Sequence, residues 1–277
     1  MTESNTPAAS GSQGAAVVPP RSGEPALRLT GVSKAFGAVQ ALQDVDFEVW
    51  AGEVVGLVGD NGAGKSTLIK VISGVNPGDT GHIFLDGKEI HISTPNDATR
   101  LGIETVYQDL ALADNLDVVA NLYLGREDTA PPIPALGGIL NETEMERRTL
   151  DVLRQLDVKT IKSVRIPVAA LSGGQRQSIA VAKTILRHAK VVLLDEPTAA
   201  LGVAQTRQVL NLVRRLRDQG LAVVVISHNL ADIFEVVDRV IVLRLGKRVG
   251  SYDIRNTTPE RVVSAITGAE FGALTAE

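Results

Sequence analysis

The chain has 277 residues, of which 44% are hydrophobic and 22% are charged, and its formal net charge is −4. This composition is ordinary for a globular protein, and the length suits one large domain or two modest ones. A mildly acidic chain has no electrostatic reason to bind nucleic acid, and a chain without cysteine forms neither disulfides nor thiolate metal sites. The longest apolar run, residues 221–226, is far shorter than the roughly twenty residues of a transmembrane helix. Because the N-terminus has no signal-like pattern, we expect a cytoplasmic protein.

The N-terminal segment is made mostly of small and polar residues. It buries too little apolar surface to offset its ordering entropy, so we expect residues 1–25 to be a disordered tail and residues 26–277 to form one domain. Short β-rich runs follow at residues 27–32, 45–49, 53–58, 82–85 and 103–107.

A helical insert is predicted in the middle of the chain, from about residue 109 to residue 185. Prolines and glycines in residues 127–140 predict a loop. Asn141, with Glu144 three residues later, resembles a capping box that begins a helix ending near residue 156.

From residue 172 onward, helical and apolar segments alternate. The predicted helices cover residues 172–186 and 203–219, with Gly220 in the position after the second helix that favours glycine. The predicted strands cover residues 191–194, 223–226 and 240–243. Continuous apolar strands separated by helices indicate an α/β fold whose parallel sheet is covered on both faces.

A complete phosphate-binding motif, G-x-x-x-x-G-K-[ST], follows the apolar strand at 53–58. Its residues are Gly59, Asp60, Asn61, Gly62, Ala63, Gly64, Lys65, Ser66 and Thr67. The glycines let backbone N–H groups approach phosphate oxygens, and the following helix adds positive charge at its N-terminus. Lys65 is expected to contact the β and γ phosphates of ATP, and the Ser66 hydroxyl to ligate Mg²⁺. A glycine-rich turn without a ligand is the structural alternative.

Two adjacent carboxylates, Asp195 and Glu196, end the apolar strand at 191–194. Consecutive residues on a strand point in opposite directions, so the two side chains need not share one environment. We expect Asp195 to hold Mg²⁺ and Glu196 to orient and polarise the attacking water. The alternative is that both acids are merely solvated at a strand end.

The run Ser172, Gly173, Gly174 and Gln175 predicts a helix start, with Ser172 and Gln175 forming a capping box. Two glycines in the first turn cost roughly 1 kcal/mol each, and the close approach of a phosphate to bare N–H groups would offset that cost. Since the phosphate motif already provides for one nucleotide, this second helix start is expected to contact a nucleotide held by another copy of the chain.

In the order of these motifs the chain resembles the ABC transporter ATP-binding family over about residues 27–270. The resemblance implies a P-loop core with a mixed, largely parallel sheet, an antiparallel β subdomain and a helical insert. It also implies that Gln108 contacts Mg²⁺ and the attacking water, that His228 contacts the γ-phosphate, and that Phe36 stacks on adenine. A core phenylalanine is the alternative for Phe36.

The family resemblance also implies partners. Two copies would form a head-to-tail dimer around two ATP molecules, docked on a membrane permease at the inner face of the cell membrane, with an extracytoplasmic sugar-binding protein acting indirectly. The run 199–203, together with 227–230, is similar to importer ATPases of the ribose, xylose and fructose type, and the single phosphate motif fits their single-domain kind. One departure is Gly202, where the family usually has an aspartate.

Other ATPase and GTPase classes fit the sequence less well. A regulatory GTPase would need an Asn-Lys-x-Asp guanine reader, and a small-molecule kinase has no use for the run at 172–175. The remaining alternative is a soluble ABC ATPase of a non-transport assembly, such as a scaffold for cofactor assembly.

Overall fold

A computed structural model of the protein describes residues 23–129 and 138–269. Most of the predicted tail and the centre of the predicted 127–140 loop lie outside the described residues. The strands are β1 (Leu27–Phe36), β2 (Val39–Val49), β3 (Val54–Val58), β4 (Thr80–Leu85), β5 (Lys88–Ile90), β6 (Ile103–Val106), β7 (Val191–Asp195), β8 (Ala222–Ile226), β9 (Arg239–Arg244) and β10 (Lys247–Asp253). The helices are α1 (Lys65–Ile72), α2 (Pro95–Arg100), α3 (Val118–Tyr123), α4 (Glu142–Gln155), α5 (Gly173–Leu186), α6 (Val203–Asp218), α7 (Leu230–Val236) and α8 (Pro259–Thr267).

The larger sheet has six strands in the order β10-β9-β3-β8-β7-β6. Only the β9–β10 pair is antiparallel; the other pairs are parallel. Alternate residues of each central strand enter different cores: in β7, Val192 and Leu194 pack on one side of the sheet, while Val191 and Leu193 pack on the other. Both faces are therefore covered, and the predicted fold class is confirmed.

The smaller sheet is antiparallel, with the order β2-β1-β4-β5. It shares a core with α1, to which Phe47 of β2 and Leu68 of α1 contribute fully buried side chains. Helices α3 to α8 contribute to the opposite core. The phosphate motif lies between β3 and α1, beside β2, so that both sheets position it.

Between β6 and β7 the described residues form α3, α4 and α5 and contain no strand. Asn141 accepts a hydrogen bond from the Glu144 N–H as predicted, but the Glu144 carboxylate pairs with Arg147 and Arg148 instead of completing the capping box. The helical subdomain at 109–185 stays a prediction.

The sequence did not predict several short elements, namely β5, β10, α2, α3 and α8. Strands β1 and β2 are also longer than predicted, because they extend through mixed polar and apolar residues towards a hairpin between Phe36 and Val39. None of the helices within residues 23–129 and 138–269 has both the length and the apolar content needed to span a bilayer.

Candidate nucleotide-binding site

The glycines of the phosphate motif are required by the protein's own backbone. Gly59 has a φ of 155°, and a Cβ there would lie 2.2 Å from the carbonyl oxygen of Leu243. Gly64 has a φ of 105°, and a Cβ there would lie 2.8 Å from the carbonyl oxygen of Ala41. Because backbone atoms cause both collisions, no side-chain movement would relieve them. The close packing of β9 and β2 therefore fixes the shape of the loop.

Helix α1 begins without a side-chain cap. Its N-cap residue, Gly64, is in the left-handed conformation and has no side chain to accept from the first-turn N–H groups. Such donors need a partner, and an anion at a helix N-terminus supplies one. The start of α1 thus fits a phosphate group.

The Lys65 side chain folds back over the loop. Its ammonium group donates hydrogen bonds to the carbonyl oxygens of Gly59 at 2.8 Å and Asp60 at 3.0 Å. Burial lowers the pKa of Lys65 below its usual 10.5, although the charges of Glu196, Asp60 and Asp195 act to raise it. The positive charge is therefore held in place beside the loop, close to carboxylates.

A cavity of about 430 Å³ lies over the motif. Its lining residues are Val39, Gln40, Ala41, Asn61, Gly62, Ala63, Gly64, Lys65, Ser66, Thr67, Gln108, Asp195, Glu196, Ile226 and His228. The volume lies within the range of ordinary ligand sites. Residues predicted from four separate parts of the sequence therefore meet in one pocket.

Asp195 and Glu196 both line this cavity, because Glu196 leaves the extended conformation of the strand. Its φ is 51°, a left-handed value that is uncommon for a non-glycine residue, and its N–H donates to the Ile226 carbonyl at 3.0 Å. Burial raises the pKa of Glu196 above 4.5 and that of Asp195 above 3.8, against the opposing charges of His228 and Lys65. Strained backbone and perturbed carboxylates are both typical of functional sites.

His228 lies directly beside Glu196. Its Nε2 atom is 3.2 Å from Glu196 Oε1, and its backbone N–H donates to Glu196 Oε2 at 3.4 Å. Even so, no group among the described residues donates a hydrogen bond to the buried Oε1 atom. That oxygen is therefore left to accept from a water.

The residues present fit a nucleotide with its metal ion. The glycine loop, the uncapped α1 and Lys65 suit phosphates. The Ser66 hydroxyl, the Gln108 amide and the Asp195 carboxylate all line the cavity, and they are the oxygen ligands that suit Mg²⁺.

Phe36 does not line the cavity. Its ring is 46% exposed at the end of β1, with the Lys34 ammonium 5.6 Å from the ring centre. The neighbouring residues Val39, Gln40 and Ala41 line the cavity instead. The sequence did not predict that these three residues line the cavity, because they belong to no motif. They reach it because Ala41 of β2 lies close to Gly64.

The run at 172–175 lies outside this cavity. Ser172 is the N-cap of α5 and forms the predicted capping box with Gln175, and both Ser172 and Gly173 are exposed. Gly174 packs against α6 within the same chain. A Cβ there would lie 3.1 Å from the Gln205 Cβ of α6, so packing within the chain already favours glycine at this position.

Comparison with known proteins identifies the family. The sequence profile described as ABC transporter matches residues 42–199. The chain is 44% identical over 248 residues to the fructose import ATP-binding protein FrcA of Rhizobium meliloti, covering 89% of this chain and 95% of that protein. It is 44% identical over 246 residues to the xylose/arabinose import ATP-binding protein XylG of Sulfolobus acidocaldarius, with the same coverage of 89% and 95%.

Solved structures agree with the sequence comparisons. A nucleotide-free ATP-binding cassette from an ABC transporter superimposes with a TM-score of 0.74 at 25% identity, covering 88% of this chain and 96% of that one. A dimeric ATP-binding cassette in a post-hydrolysis state, bound to ADP and Pi, gives a TM-score of 0.67 at 25% identity and covers 83% of this chain and 100% of that one. The chain therefore belongs to the ABC transporter family of ATP-binding proteins.

Proposed function

We propose that this chain binds and hydrolyses ATP to energise the import of a monosaccharide through a separate membrane permease. The relatives described above are named for the import of fructose and of xylose or arabinose, and the chain aligns with almost their whole length. The observation that carries the catalytic part is the single cavity in which Lys65, Asp195, Glu196 and His228 meet.

Each residue of the cavity has a proposed role. Lys65 and the backbone N–H groups of the motif bind the phosphates. Ser66, Gln108 and Asp195 hold Mg²⁺, which neutralises charge on the phosphates when it is bound. Of these three, Asp195 is the only one with a charge, and it lies at the fixed end of β7.

Glu196 is the proposed base. Its carboxylate has one oxygen beside the His228 backbone N–H and one buried oxygen without a donor, so it is able to accept a hydrogen bond from the attacking water. His228, which is 59% exposed, is close enough to contact both Glu196 and a γ-phosphate in the cavity. Positioning and charge stabilisation of this kind are the main contributions of a protein to phosphoryl transfer.

In the described residues the phosphate cavity is separate from the helix start at 172–175, called the signature here, of which Ser172 and Gly173 are exposed. We propose that two copies meet head to tail, so that Ser172, Gly173 and Gly174 of one copy contact the nucleotide in the cavity of the other. The solved dimeric cassette with ADP and Pi supports a dimer. Because ATP would contact both chains, its hydrolysis would favour the open state.

A groove between α3, α4 and the end of α5 is the proposed docking site for the permease. Its volume is about 780 Å³, and Leu122, Arg126, Arg148 and Arg187 are among its lining residues. It lies in the segment that follows Gln108, so that a shift in the groove can reach the nucleotide. The permease in turn would place this chain at the inner face of the membrane and connect it indirectly to a sugar-binding protein.

The central experiment replaces Glu196 by glutamine. Glu196→Gln should still bind ATP, form a stable dimer with ATP in size-exclusion chromatography, and hydrolyse it roughly 10²- to 10⁴-fold more slowly, since a general base contributes that much. The matched control is Glu260→Gln, which alters an exposed glutamate at the start of α8 and should leave hydrolysis unchanged. Turnover of Glu196→Gln at the wild-type rate would remove Glu196 from the role of base.

A second measurement tests transport itself. Purification of the chain from its own membranes should retain a multi-span permease, and a charge-reversing change at Arg126 in the groove should release that permease while leaving basal ATP hydrolysis intact. Retention of a soluble scaffold protein instead would favour the non-transport assembly.

A further inference from the structure

Two hairpin turns of this chain have the same backbone shape. Leu245 and Gly246 join β9 to β10 with φ angles of 48° and 74°, and Asp86 and Gly87 join β4 to β5 with φ angles of 49° and 75°. Such turns favour asparagine, aspartate or glycine at the first position, and only the second turn follows that rule. Leu245 is also 75% exposed, so burial of its side chain offsets little of the strain. Contacts with other parts of the chain must therefore hold the β9–β10 turn in shape.

Hydrogen bonds on both sides hold the β9–β10 turn. The Gly246 N–H donates to the Ala63 carbonyl of the phosphate motif at 3.1 Å, and the Gly246 carbonyl accepts from the Gln43 N–H of β2 at 2.8 Å. A left-handed backbone at a non-glycine residue persists where the surrounding structure over-determines it, and these two bonds supply that constraint at Leu245. The turn is thus fixed between β2 and the phosphate motif.

Gly246 also packs against the start of α1. Its Cα lies 3.5 Å from the position that a Cβ on Gly64 would take. A Cβ on Gly246 itself would lie 2.8 Å from the Ala41 carbonyl oxygen, so backbone atoms as well as the positive φ require glycine here. The space between β2 and the phosphate motif therefore fits a residue without a side chain.

The bond from Gly246 fixes one peptide group of the phosphate motif. The Ala63 carbonyl and the Gly64 N–H belong to the same peptide unit, which is planar and trans, so the two groups point in opposite directions. Because the carbonyl is held on the side of the turn, the Gly64 N–H points away from the turn. Gly64 lines the cavity, which is where a phosphate would accept this hydrogen bond.

We infer that Gly246 is a positioning residue for phosphate binding, which holds the Ala63 carbonyl so that the Gly64 N–H is aimed at a phosphate in the cavity. The inference rests on the proposed binding of ATP by this cavity. Gly246 is not among the residues that line the cavity, so it acts through the phosphate motif. A motif that is held from outside keeps its N–H groups oriented before the nucleotide arrives, and this preorganisation reduces the ordering cost of binding.

The experiment measures the affinity of the full chain for ATP and for inorganic tripolyphosphate, each by displacement of a fluorescent ATP analogue. Gly246→Ala should displace the turn from the phosphate motif and weaken the binding of both ligands roughly 10-fold, the loss expected for one hydrogen bond to a charged group. The two losses should be equal, because tripolyphosphate has no adenine and the turn acts on phosphate binding alone. The kcat at saturating ATP should stay near the wild-type value, since the contact serves the ground state and the transition state alike.

Gly87→Ala is the matched control. It places the same side chain at nearly the same φ in the other turn, where its Cβ would lie 3.2 Å from the flexible Glu24 side chain. It should lower the melting temperature through the same backbone strain, yet bind ATP and tripolyphosphate as the wild type does. A loss of affinity that appears only in Gly246→Ala therefore reports on the phosphate motif and not on strain in a turn.

Gln43→Pro provides a second variant if Gly246→Ala folds poorly. It removes the N–H that holds the Gly246 carbonyl, and it does so on the edge strand β2, where proline is tolerated. It should weaken the binding of ATP and of tripolyphosphate equally. Wild-type affinities in both variants, or a loss for ATP that tripolyphosphate does not share, would overturn the inference while ATP binding stands. If the wild type itself binds neither ligand, the proposed function fails together with this inference.

Discussion

The phosphate motif and the signature start are both glycine-rich helix N-termini, but they differ in how complete they are. The first lines a cavity, and its shape is set by carbonyl oxygens of Leu243 and Ala41 in the same chain. The second is exposed, and its own Ser172 and Gln175 satisfy its cap. The fold therefore builds the first cavity within one chain, whereas the second start is proposed to gain a function only against another molecule.

The two starts also differ in their charge. A lysine, two carboxylates and a histidine converge at the phosphate motif, and burial moves the pKa values of Lys65, Asp195 and Glu196 away from their ordinary values. The run at 172–175 has no ionisable side chain, and its exposed residues are Ser172 and Gly173. A nucleotide should therefore bind first at the cavity, and the signature should add contacts to a nucleotide already bound.

The largest expected effect comes from removing the charge in the cavity. Lys65→Ala should weaken ATP binding roughly 10²- to 10⁴-fold, because hydrogen bonds to charged groups contribute about 1.5–3 kcal/mol each and Lys65 is proposed to contact two phosphates. Titration with a fluorescent ATP analogue measures the loss. Lys70→Ala, on the exposed side of the same helix, is the control and should bind nearly as the wild type does. Undiminished affinity in Lys65→Ala would contradict the assignment of the cavity.

A smaller effect separates packing from phosphate contact at the signature. Gly173→Ala should slow hydrolysis roughly 10- to 100-fold, somewhat less than the loss of one hydrogen-bond donor to developing charge. The new Cβ would lie 2.9 Å from Leu201 Cδ2, so the end of that leucine side chain must shift. Leu201→Ala added to it removes this contact and should not restore hydrolysis, since the methyl group still separates the N–H groups from the phosphate.

The outcome of this pair decides between two roles of Gly173. Hydrolysis that returns in the Gly173→Ala, Leu201→Ala double variant would show that glycine is needed only for packing inside one chain. The comparison between the two helix starts would then lose its basis, because the signature would have no role towards a second molecule.

The sequence predicted the parts whose chemistry depends on near neighbours in the chain. The phosphate motif, the strand ending in Asp195 and the capping box of Ser172 with Gln175 are each formed by residues a few positions apart, so their spacing carries the information. The parallel sheet was predictable for a similar reason. Strands that are covered on both faces are continuous apolar runs, and such runs are visible in the sequence.

The parts that were missed depend on distant neighbours. Val39 and Ala41 line the cavity only because β2 passes over Gly64, and the need for glycine at 174 arises from Gln205 on another helix. The short helix α3 follows the same rule, because its stability comes from burial of apolar side chains against α4 and α5 and not from its own pattern. Phe36 lies outside the lining of the cavity, and its contact with adenine stays a prediction.

The pH dependence of hydrolysis tests the buried charges of the cavity. Glu196 must be ionised to act as the base, and burial raises its pKa above 4.5. The rate should therefore fall as the pH is lowered through that raised pKa, which lies above the value of an exposed glutamate. Measurement of kcat against pH, with the fold monitored by circular dichroism, locates the acid limb. If the apparent pKa on the acidic side of this profile lies at or below the ordinary glutamate pKa of 4.5, burial does not raise the pKa of Glu196.

The raised pKa of Glu196 also has a consequence for stability. A carboxyl whose pKa is raised in the folded state binds its proton more tightly there, so its ionisation opposes folding above that pKa. Glu196→Gln should then be more stable than the wild type at neutral pH, and solvent screening of the partly exposed carboxyl limits the gain to about 1 kcal/mol. Thermal unfolding at several pH values measures this gain. It should disappear as the pH falls below the pKa values of both the folded and the unfolded state, because both side chains are then neutral.

The smallest expected effect is at Gly202. Gly202 is the N-cap of α6, with ordinary backbone angles and open space around its Cα. Gly202→Asp supplies a side-chain cap and should raise the free energy of unfolding by a few tenths of a kcal/mol. This gain corresponds to a melting temperature that is higher by about 1 °C. Gly220, beyond the other end of the same helix, has a φ of 87°, so Gly220→Asp should instead lower stability by about 1 kcal/mol.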